Sequence, residues 1–410
     1  MVESNIEYGE GFYGPEDDRM LPFRWMQKKA SVILPAKDIH EHQFLSLWIF
    51  SNFANYSQKI ALTLDGRSLD EFPLIFGWAS YSVHLGQRET REKGPDRLEL
   101  TLNKVFPAKY HQGDGRELGV RIGPMAFHDD AVKHRDAEYF LKNAVLNDRE
   151  MRQRKTSLES YPTNLGVDIW GRCNIKPHCV YCTWDMMKVL EGDNVDAVVD
   201  DRTLESYGPF FKSARQLVNC SIGEPLLSPR FEEILDLCQR HGKTVEIATN
   251  GQAFTPRTIR ALAGKPVRLY VSLDAATKET YAKIRNEKWD EIVPNLMLLN
   301  EERKKAGNLL KIYMVFIPMK VNRGDLEAYF QLCRKIEADS LVLRPLLNLG
   351  NPKIEEDRGG YHFNYKDEML KWEELQEIFR LCEVYSKTYG VFVYNQFDFG
   401  LETQARPEAS

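Results

Sequence analysis

The stretch GVDIWGRCNIKPHCVYCTWD (residues 166–185) places three cysteines directly after a short apolar segment typical of a buried β-strand. These are Cys173, Cys179 and Cys182, and three thiolates in one loop suit an iron–sulfur cube that keeps one iron without a protein ligand. Structural zinc with His178 as fourth ligand is an alternative, although zinc ligands are usually spaced by two or more residues and His178 adjoins Cys179. Three unrelated buried thiols are the third interpretation. The cysteines alone leave all three open.

Around this loop, from Pro162 onward, apolar strand-like segments alternate with helix-like segments, which predicts a parallel α/β sheet. The predicted strands are 164–170, 215–221, 244–250, 267–274, 311–318 and 340–346, and the predicted helices are 202–213, 229–241, 256–263, 276–285, 290–306 and 324–337. Six such units predict a partial (β/α)6 TIM-like barrel over residues 163–350, with functional groups at the carboxyl ends of the strands. Residues 351–410 are predicted as a C-terminal extension with a helix over 368–389 and a possible strand over 391–395.

The part of the chain before this barrel has a different pattern. Short β-branched and aromatic runs at 45–53, 59–66, 76–86 and 96–106 predict an all-β, sandwich-like domain over residues 1–130. A charged helical linker is predicted over 131–162. The phrases GFYGPEDDRMLPFRWM (11–26) and GRELGVRI (115–122) resemble β-sandwich modules of bacterial glycan-modifying enzymes, so we expect possible carbohydrate recognition there. Tryptophans in such a domain could stack on sugars but are more often core: Trp25, Trp48 and Trp78.

Composition narrows the class of protein. The 410 residues carry a net charge of −5 and no Lys/Arg-rich run, so we expect no nucleic-acid partner. No stretch approaches the roughly 20 apolar residues of a membrane span, and the expected location is cytoplasmic. The seven cysteines are unevenly spread, which favours a metal or redox site over a disulfide framework. The resemblance of the N-terminal phrases to modules of glycan-modifying enzymes implies a small-molecule or glycan substrate.

Four motifs in order resemble the radical SAM superfamily over roughly residues 160–350. CNIKPHCVYC (173–182) resembles its cluster motif, although five residues separate the first two cysteines instead of the usual three. CSIGEPLLSP (220–229) resembles the GGEP motif, ATNG (248–251) matches the motif after the third strand, and VSLDAATKETYAKIR (271–285) is close to the fourth-strand signature. The resemblance implies a [4Fe–4S] cluster on Cys173, Cys179 and Cys182, S-adenosyl-L-methionine as cosubstrate, and an external electron donor such as flavodoxin or ferredoxin.

The resemblance also implies roles for individual residues. Gly223 and Glu224 would bind the methionine amino group, and Tyr181 would lie beside the adenine. Ser272 and Asp274, two apart on one predicted strand, would face the ribose or methionine moiety, while a helix cap is the alternative for Asp274. Arg285 would hold the methionine carboxylate, with a solvated helix-end arginine as the alternative. Asn250, also assigned to the cofactor site, could equally be a left-handed turn residue.

The remaining cysteines bear on the reaction. Cys238, Cys333 and Cys382 lie in predicted helices and are expected to pack as small buried hydrophobes. No second-cluster domain is evident, which favours epimerase, isomerase or lyase chemistry over an oxidation. Cys220, at the end of the second predicted strand, is the candidate hydrogen donor of an epimerase. Radical modification of a peptide, and a zinc-stabilised binding protein, are the alternative functions.

Overall fold

The computed structural model describes residues 6–17, 21–53, 56–86, 96–106, 115–182, 184, 192, 199–219, 221–347, 355–358 and 360–397. The chain divides into two compact units. The first comprises Met1–Leu165, Glu205–Leu217 and Leu237–Thr244, and the second comprises Gly166–Leu204, Val218–Asp236 and Val245–Ser410. Among the described residues no helix is both long and apolar enough to cross a membrane.

The first unit contains two five-stranded antiparallel sheets that share one hydrophobic core. Their strands are β1 (Glu7–Tyr8), β2 (Phe12–Asp17), β3 (Pro22–Met26), β4 (Lys29–Leu34), β5 (Phe44–Ser51), β6 (Lys59–Leu64), β7 (Arg67–Pro73), β8 (Gly77–His84), β9 (Asp96–Leu102) and β10 (Arg121–His128). The sheet orders are β1-β4-β9-β6-β7 and β2-β3-β10-β5-β8. All four predicted strands are present. Strands such as β2 escaped prediction because Pro and Gly inside FYGPED weaken the strand signal.

The strands of these sheets place alternate side chains in the hydrophobic core. In β9, DRLELTL, every second residue is buried, and Leu98 and Leu100 are fully enclosed. Of the three tryptophans, Trp25 and Trp78 are buried and Trp48 is half-buried, in agreement with the core interpretation.

Two helical regions of the chain differ from the prediction. The helix Ala131–Arg152 begins at Asp130, whose carboxylate accepts the amides of Val132 and Lys133, but it ends ten residues before the predicted linker does. The single helix predicted over 202–213 is two helices, Asp201–Ser206 and Gly208–Ser213, because Pro209 fits a helix only in its first turn. A six-residue helix, Ala36–Glu41, lies between β4 and β5.

The second unit is built on a seven-stranded sheet that follows chain order. Its strands are β11 (Asn164–Val167), β12 (Gln216–Asn219), β13 (Thr244–Thr249), β14 (Val267–Ser272), β15 (Lys311–Phe316), β16 (Ser340–Leu343) and β19 (Val393–Asn395). The prediction of six strands is therefore wrong by one: β19, expected only to cover the end, pairs in parallel with β16. A separate hairpin joins β17 (Glu355–Arg358) to β18 (Tyr361–Asn364).

The connecting helices fall close to their predicted positions. They are Phe231–Arg240, Pro256–Ala263, Lys278–Ile284, Trp289–Lys305, Leu326–Lys335, Tyr365–Glu368 and Trp372–Tyr389. Short 3-10 turns cover Pro225–Leu227 and Arg323–Asp325. Cys238, Cys333 and Cys382 are buried in helices, as expected. The strands β13 to β16 pair in parallel, so their carboxyl ends meet at one edge, where Asn250 follows β13 and Asp274 follows β14.

Candidate active site

Each of the three clustered cysteine sulfurs accepts a hydrogen bond from a nitrogen. The Cys182 amide also bonds the carbonyl of Cys179 at 2.9 Å, which gives the loop a tight turn between its last two thiols. Hydrogen bonds to sulfur are one means by which a protein tunes an iron–sulfur cluster. The donors are Asn250 Nδ2 at 3.6 Å from Cys173 Sγ, Arg285 Nη1 at 3.3 Å from Cys179 Sγ, and the Trp184 amide at 3.4 Å from Cys182 Sγ.

Burial controls the protonation of these thiols. It raises the pKa of Cys173 and Cys179 above the usual range, and it raises the pKa of Cys182 to about 12. The thiols therefore hold their protons at neutral pH, and a metal group binding to them must displace those protons. Metal binding here is expected to strengthen as pH rises.

His178 is engaged by two side chains that are not cysteines. Lys176 Nζ lies 2.7 Å from His178 Nε2, and the imidazole lies against the Trp184 ring with centroids 4.5 Å apart. These contacts weaken the zinc interpretation, since one ring nitrogen already faces a cation. In the described part of the chain no three His, Cys, Asp or Glu side chains converge on a point that one metal ion could occupy.

Glu224 ties the second and third strand ends together. Its carboxylate is 1% exposed and accepts hydrogen bonds from Thr249 Oγ1 and the Asn250 amide, both at 2.7 Å, and from the Leu226 amide at 3.2 Å. Burial raises the pKa of Glu224 to about 7. A carboxylate offers about four acceptor positions, so about one is left for a further donor such as an ammonium group.

Position 223 requires a glycine because its backbone lies very close to the backbone of Arg172. A Cβ at this position would stand 2.3 Å from the carbonyl oxygen of Arg172, the residue before Cys173. The Glu224 amide donates to that same oxygen at 2.8 Å. The GEP motif thus supports the first cysteine directly.

Asn250 connects this region to the cysteine loop. Its amide nitrogen reaches Asn174 Oδ1 at 2.8 Å as well as Cys173 Sγ, and its own oxygen accepts the Gln252 amide at 2.8 Å. The left-handed alternative for Asn250 is wrong, because the positive φ in ATNG belongs to Gly251, at 77°.

Tyr181, Asp274 and Arg285 form a second buried group. Arg285 Nη2 donates to Asp274 Oδ2 and to the Tyr181 hydroxyl, both at 2.6 Å, and the hydroxyl itself donates to Asp274 Oδ2. Asp274 is fully buried, and its Oδ1 accepts the Ile317 amide at 2.8 Å. Burial raises the pKa of Tyr181 well above its usual value, which keeps the phenol protonated and able to donate.

Several expectations for this group need correction. Arg285 is 4% exposed, so the solvated alternative is wrong. Asp274 does not cap the following helix, which Thr277 caps instead. The strand ends at Ser272, and Asp274 has a φ of 59°. Strand alternation therefore does not extend to Asp274 and does not place its side chain on the same face as that of Ser272. Ser272 lies half-buried at the strand end, and the candidate donor Cys220 lies outside the described residues.

Three side chains that the sequence did not predict as site residues donate hydrogen bonds to backbone carbonyls of these groups. Asn322 Nδ2 donates to the Asp274 carbonyl at 2.7 Å, the Tyr365 hydroxyl donates to the Tyr181 carbonyl at 2.7 Å, and Arg358 donates to the His178 carbonyl. Arg358 and Tyr365 come from the predicted extension. No spacing rule links them to the motifs, since their partners are backbone carbonyls far away in sequence.

Comparison with known proteins agrees with this site. Residues 167–333 match the family described as the Radical SAM superfamily, and this range spans the cysteine loop and the following three motifs. The strand-end site and this match define an enzyme domain of that class. Residues 167–333 carry a radical SAM domain, and the cofactors of that superfamily are a [4Fe–4S] cluster and S-adenosyl-L-methionine.

Its sequence relatives include the S-adenosyl-L-methionine-dependent tRNA 4-demethylwyosine synthases. The Arabidopsis thaliana enzyme is 29% identical over 174 residues, which cover 41% of this chain and 24% of the plant protein. The Methanocaldococcus jannaschii enzyme is 30% identical over 181 residues, which cover 42% of this chain and 51% of the archaeal protein. The chain therefore spans about half or less of the length of these relatives.

Likeness to solved structures is weaker. Streptococcus suis SuiB bound to S-adenosylmethionine aligns with a TM-score of 0.46 and 15% identity, over 62% of this chain and 56% of that one. A likeness of this size supports no statement about function.

The relatives overturn one expectation. We expected a small-molecule or glycan substrate and no nucleic acid, but the names of these relatives state a tRNA substrate. The exclusion of nucleic acid is wrong because net charge averages over the whole surface, whereas nucleic acid contacts a local one.

Proposed function

We propose that this radical SAM enzyme holds its cluster through Cys173, Cys179 and Cys182. The observation that carries this assignment is the nitrogen donor on each of the three sulfurs, together with the match of the cysteine loop to the family. A [4Fe–4S] cluster held by these three thiolates, once reduced by an external electron donor, would supply the one electron needed for reductive cleavage of S-adenosylmethionine and so for hydrogen abstraction from a substrate C–H bond.

The chain's own residues orient the cosubstrate in this proposal. The edge formed by Gly223 and Glu224 accepts the methionine ammonium, because Glu224 keeps about one acceptor position unused. Arg285 faces the methionine carboxylate, with Asp274 and Tyr181 fixing its guanidinium in one orientation. Asn250 and Ser272 complete the polar strand ends. The burial of these side chains limits the access of water to the site. A carbon radical needs this protection because it would otherwise be quenched.

For the substrate, we propose RNA, with the relatives as support. The first unit contains a groove of about 640 Å³ whose chemistry fits a single-stranded base. Tyr139 and Tyr161 line it at 38% and 40% exposure, and exposed tyrosine rings are the surfaces on which unpaired bases stack. Arg135 and Lys212 line it too and would meet the phosphates. Among the described lining residues the acidic one is Asp136, which is buried against His241 and lies 4.0 Å from Lys212 Nζ.

The cluster assignment is tested by metal analysis. Anaerobically reconstituted protein is expected to bind about four irons and four sulfides and to absorb broadly near ~400 nm. Alanine at Cys173, Cys179 or Cys182 should abolish this, whereas Cys382→Ala, a buried helical cysteine, should not. A colourless protein with one zinc, or no cleavage of S-adenosylmethionine after reduction with dithionite, would contradict the assignment.

The RNA assignment is tested by anisotropy with a labelled tRNA and a single-stranded decamer. Tyr139→Ala and Tyr161→Ala should each weaken binding about 5- to 150-fold, from ~1–3 kcal/mol per stacked base. Phe76→Ala removes a more exposed ring, at 50%, from the same unit and should change little. If the wild type binds RNA no better than these two tyrosine variants, the groove is not the RNA surface. If deuterium from labelled RNA never enters 5′-deoxyadenosine, RNA is not the substrate.

A further inference from the structure

A hairpin beyond the family match contacts the cysteine loop from outside the four motifs. Its strands, β17 and β18, pair Arg358 with Tyr361, and the short helix Tyr365–Glu368 follows. The matched range ends at residue 333, so nothing in the family match assigns a role to this segment. Both contacts described below lie within the second unit.

Arg358 joins two separate segments through its guanidinium. Nη2 donates to the His178 carbonyl, and Nη1 donates to the carbonyls of Arg285 and, at 3.3 Å, Ile284. Glu356 neutralises the guanidinium at 2.7 Å, and the Arg358 side chain is 11% exposed. The carbonyls of Ile284 and Arg285 end the helix Lys278–Ile284, where carbonyls lack helical partners and a cation is favourable.

Tyr365 makes the matching contact on the other side of Cys179. Its side chain is 1% exposed, and its hydroxyl donates to the Tyr181 carbonyl at 2.7 Å. Arg358 thus donates to the carbonyl one residue before Cys179, and Tyr365 donates to the carbonyl two residues after it. Between them, Val180 donates its amide to the Ile284 carbonyl at 3.0 Å and packs in one apolar cluster with Ile284, Phe363 and Tyr365.

We infer that Arg358 and Tyr365 are positioning residues for the cluster site. This inference rests on the cluster ligation proposed above. Both act on the cysteine loop through its backbone. Arg358 also fixes the carbonyl of Arg285, whose guanidinium reaches Cys179 Sγ. The loop is therefore held in one conformation before any cluster binds, which lowers the ordering cost of ligation. A charged donor on several carbonyls is stronger than a neutral one, so Arg358 contributes more than Tyr365.

Two conservative variants test this inference with little risk to folding. Arg358→Lys keeps the charge and the partner Glu356 but cannot reach three carbonyls, and Tyr365→Phe removes only the hydroxyl. The matched controls are Arg380→Lys, whose guanidinium pairs with Glu377 on an exposed helix face, and Tyr389→Phe, whose hydroxyl donates to Glu327 at the surface. Each control repeats the same chemical change away from the loop.

The first readout is hydrogen–deuterium exchange of the apo protein over the peptide containing residues 178–182. Arg358→Lys should raise exchange there about tenfold, which corresponds to about 1.4 kcal/mol, and Tyr365→Phe several-fold, since each variant loses hydrogen bonds that hold the loop closed. The second readout is the rate of iron loss from reconstituted protein to a chelator, which should rise by a similar factor. Both controls should match the wild type.

The outcomes separate the two proposals. Unchanged exchange and unchanged iron retention in both variants would overturn the positioning role. Iron-free wild-type protein would overturn the cluster assignment, while exchange in the apo protein would still decide whether Arg358 and Tyr365 hold the loop. Faster exchange confined to residues 178–182 and the end of the helix Lys278–Ile284 supports the inference.

Discussion

Gly223→Ala is the substitution whose effect the structure defines most closely. The added Cβ would lie 2.3 Å from the Arg172 carbonyl oxygen and 2.6 Å from the Arg172 nitrogen, and Cβ contacts below 3.0 Å are essentially never seen. Both contacts are to backbone, so no side-chain rotation relieves them. The chain before Cys173 must move away by at least 0.7 Å (3.0 Å less 2.3 Å).

That movement has a calculable cost. The hydrogen bond from the Glu224 amide to the Arg172 carbonyl would lengthen from 2.8 Å to roughly 3.5 Å, beyond the usual range. Losing that bond costs about 1 kcal/mol and overpacking costs about 1–3 kcal/mol, so the second unit should lose about 2–4 kcal/mol of unfolding free energy. Because the displaced residue adjoins Cys173, the variant should also retain less iron after reconstitution.

The assay is urea unfolding of the apo protein followed by circular dichroism, with iron counted after anaerobic reconstitution. Gly324→Ala is the matched control, since a Cβ there meets nothing within 4 Å. It should match the wild type in both measurements. If Gly223→Ala unfolds and binds iron like Gly324→Ala, the close passage of the two backbones does not exist in solution and the role of Gly223 as support for the first cysteine is refuted.

Three further predictions concern buried charges. Arg285→Met removes the cationic partner of the fully buried Asp274, so it should destabilise the protein by about 3–5 kcal/mol; in a double-mutant cycle with Asp274→Asn, measured by urea unfolding, additive losses would refute the pair. Burial lowers the pKa of Lys243 from 10.5 to about 7, so its contribution to stability is present above pH 10.5 and lost as pH falls through 7; unfolding free energy should rise between those values in the wild type and stay flatter in Lys243→Met. Burial raises the pKa of Glu224 from 4.5 to about 7, so its contribution is present below pH 4.5 and lost as pH rises through 7, a decline that Glu224→Gln should reduce in urea titrations at pH 5 and 8.

The sequence predicts the strands and helices of the second unit well because their signals are local. Alternating apolar runs and turn residues decide where β13 or the helix Pro256–Ala263 begins, and both fall within one residue of expectation. The seventh strand was missed as part of the sheet because β19 has only three residues and pairs with β16 some fifty residues earlier. Pairing over such a separation leaves no local pattern.

The candidate site divides along the same line. Which residues belong to it is a matter of motif spacing, and Cys173, Glu224 and Arg285 could be named from the sequence. What each one does depends on partners that spacing does not show. Glu224 has three donors from a neighbouring strand end and turn, and Arg285 is enclosed rather than solvated.

The cysteine loop shows why contacts from outside the motifs matter most. Its unusual five-residue gap places Asn174 to His178 between the first two thiols, a longer segment than the family's usual three. The structure restrains this longer loop from both ends: Asn250 binds Asn174 near its start, and Arg358 binds the His178 carbonyl at its finish. A longer loop has more conformational entropy to lose on binding metal, so it gains more from such restraints. The longer spacing and the hairpin contact are thus linked, because the contact restrains the segment that the longer spacing adds. Shortening the loop should lessen the increase in hydrogen–deuterium exchange caused by Arg358→Lys.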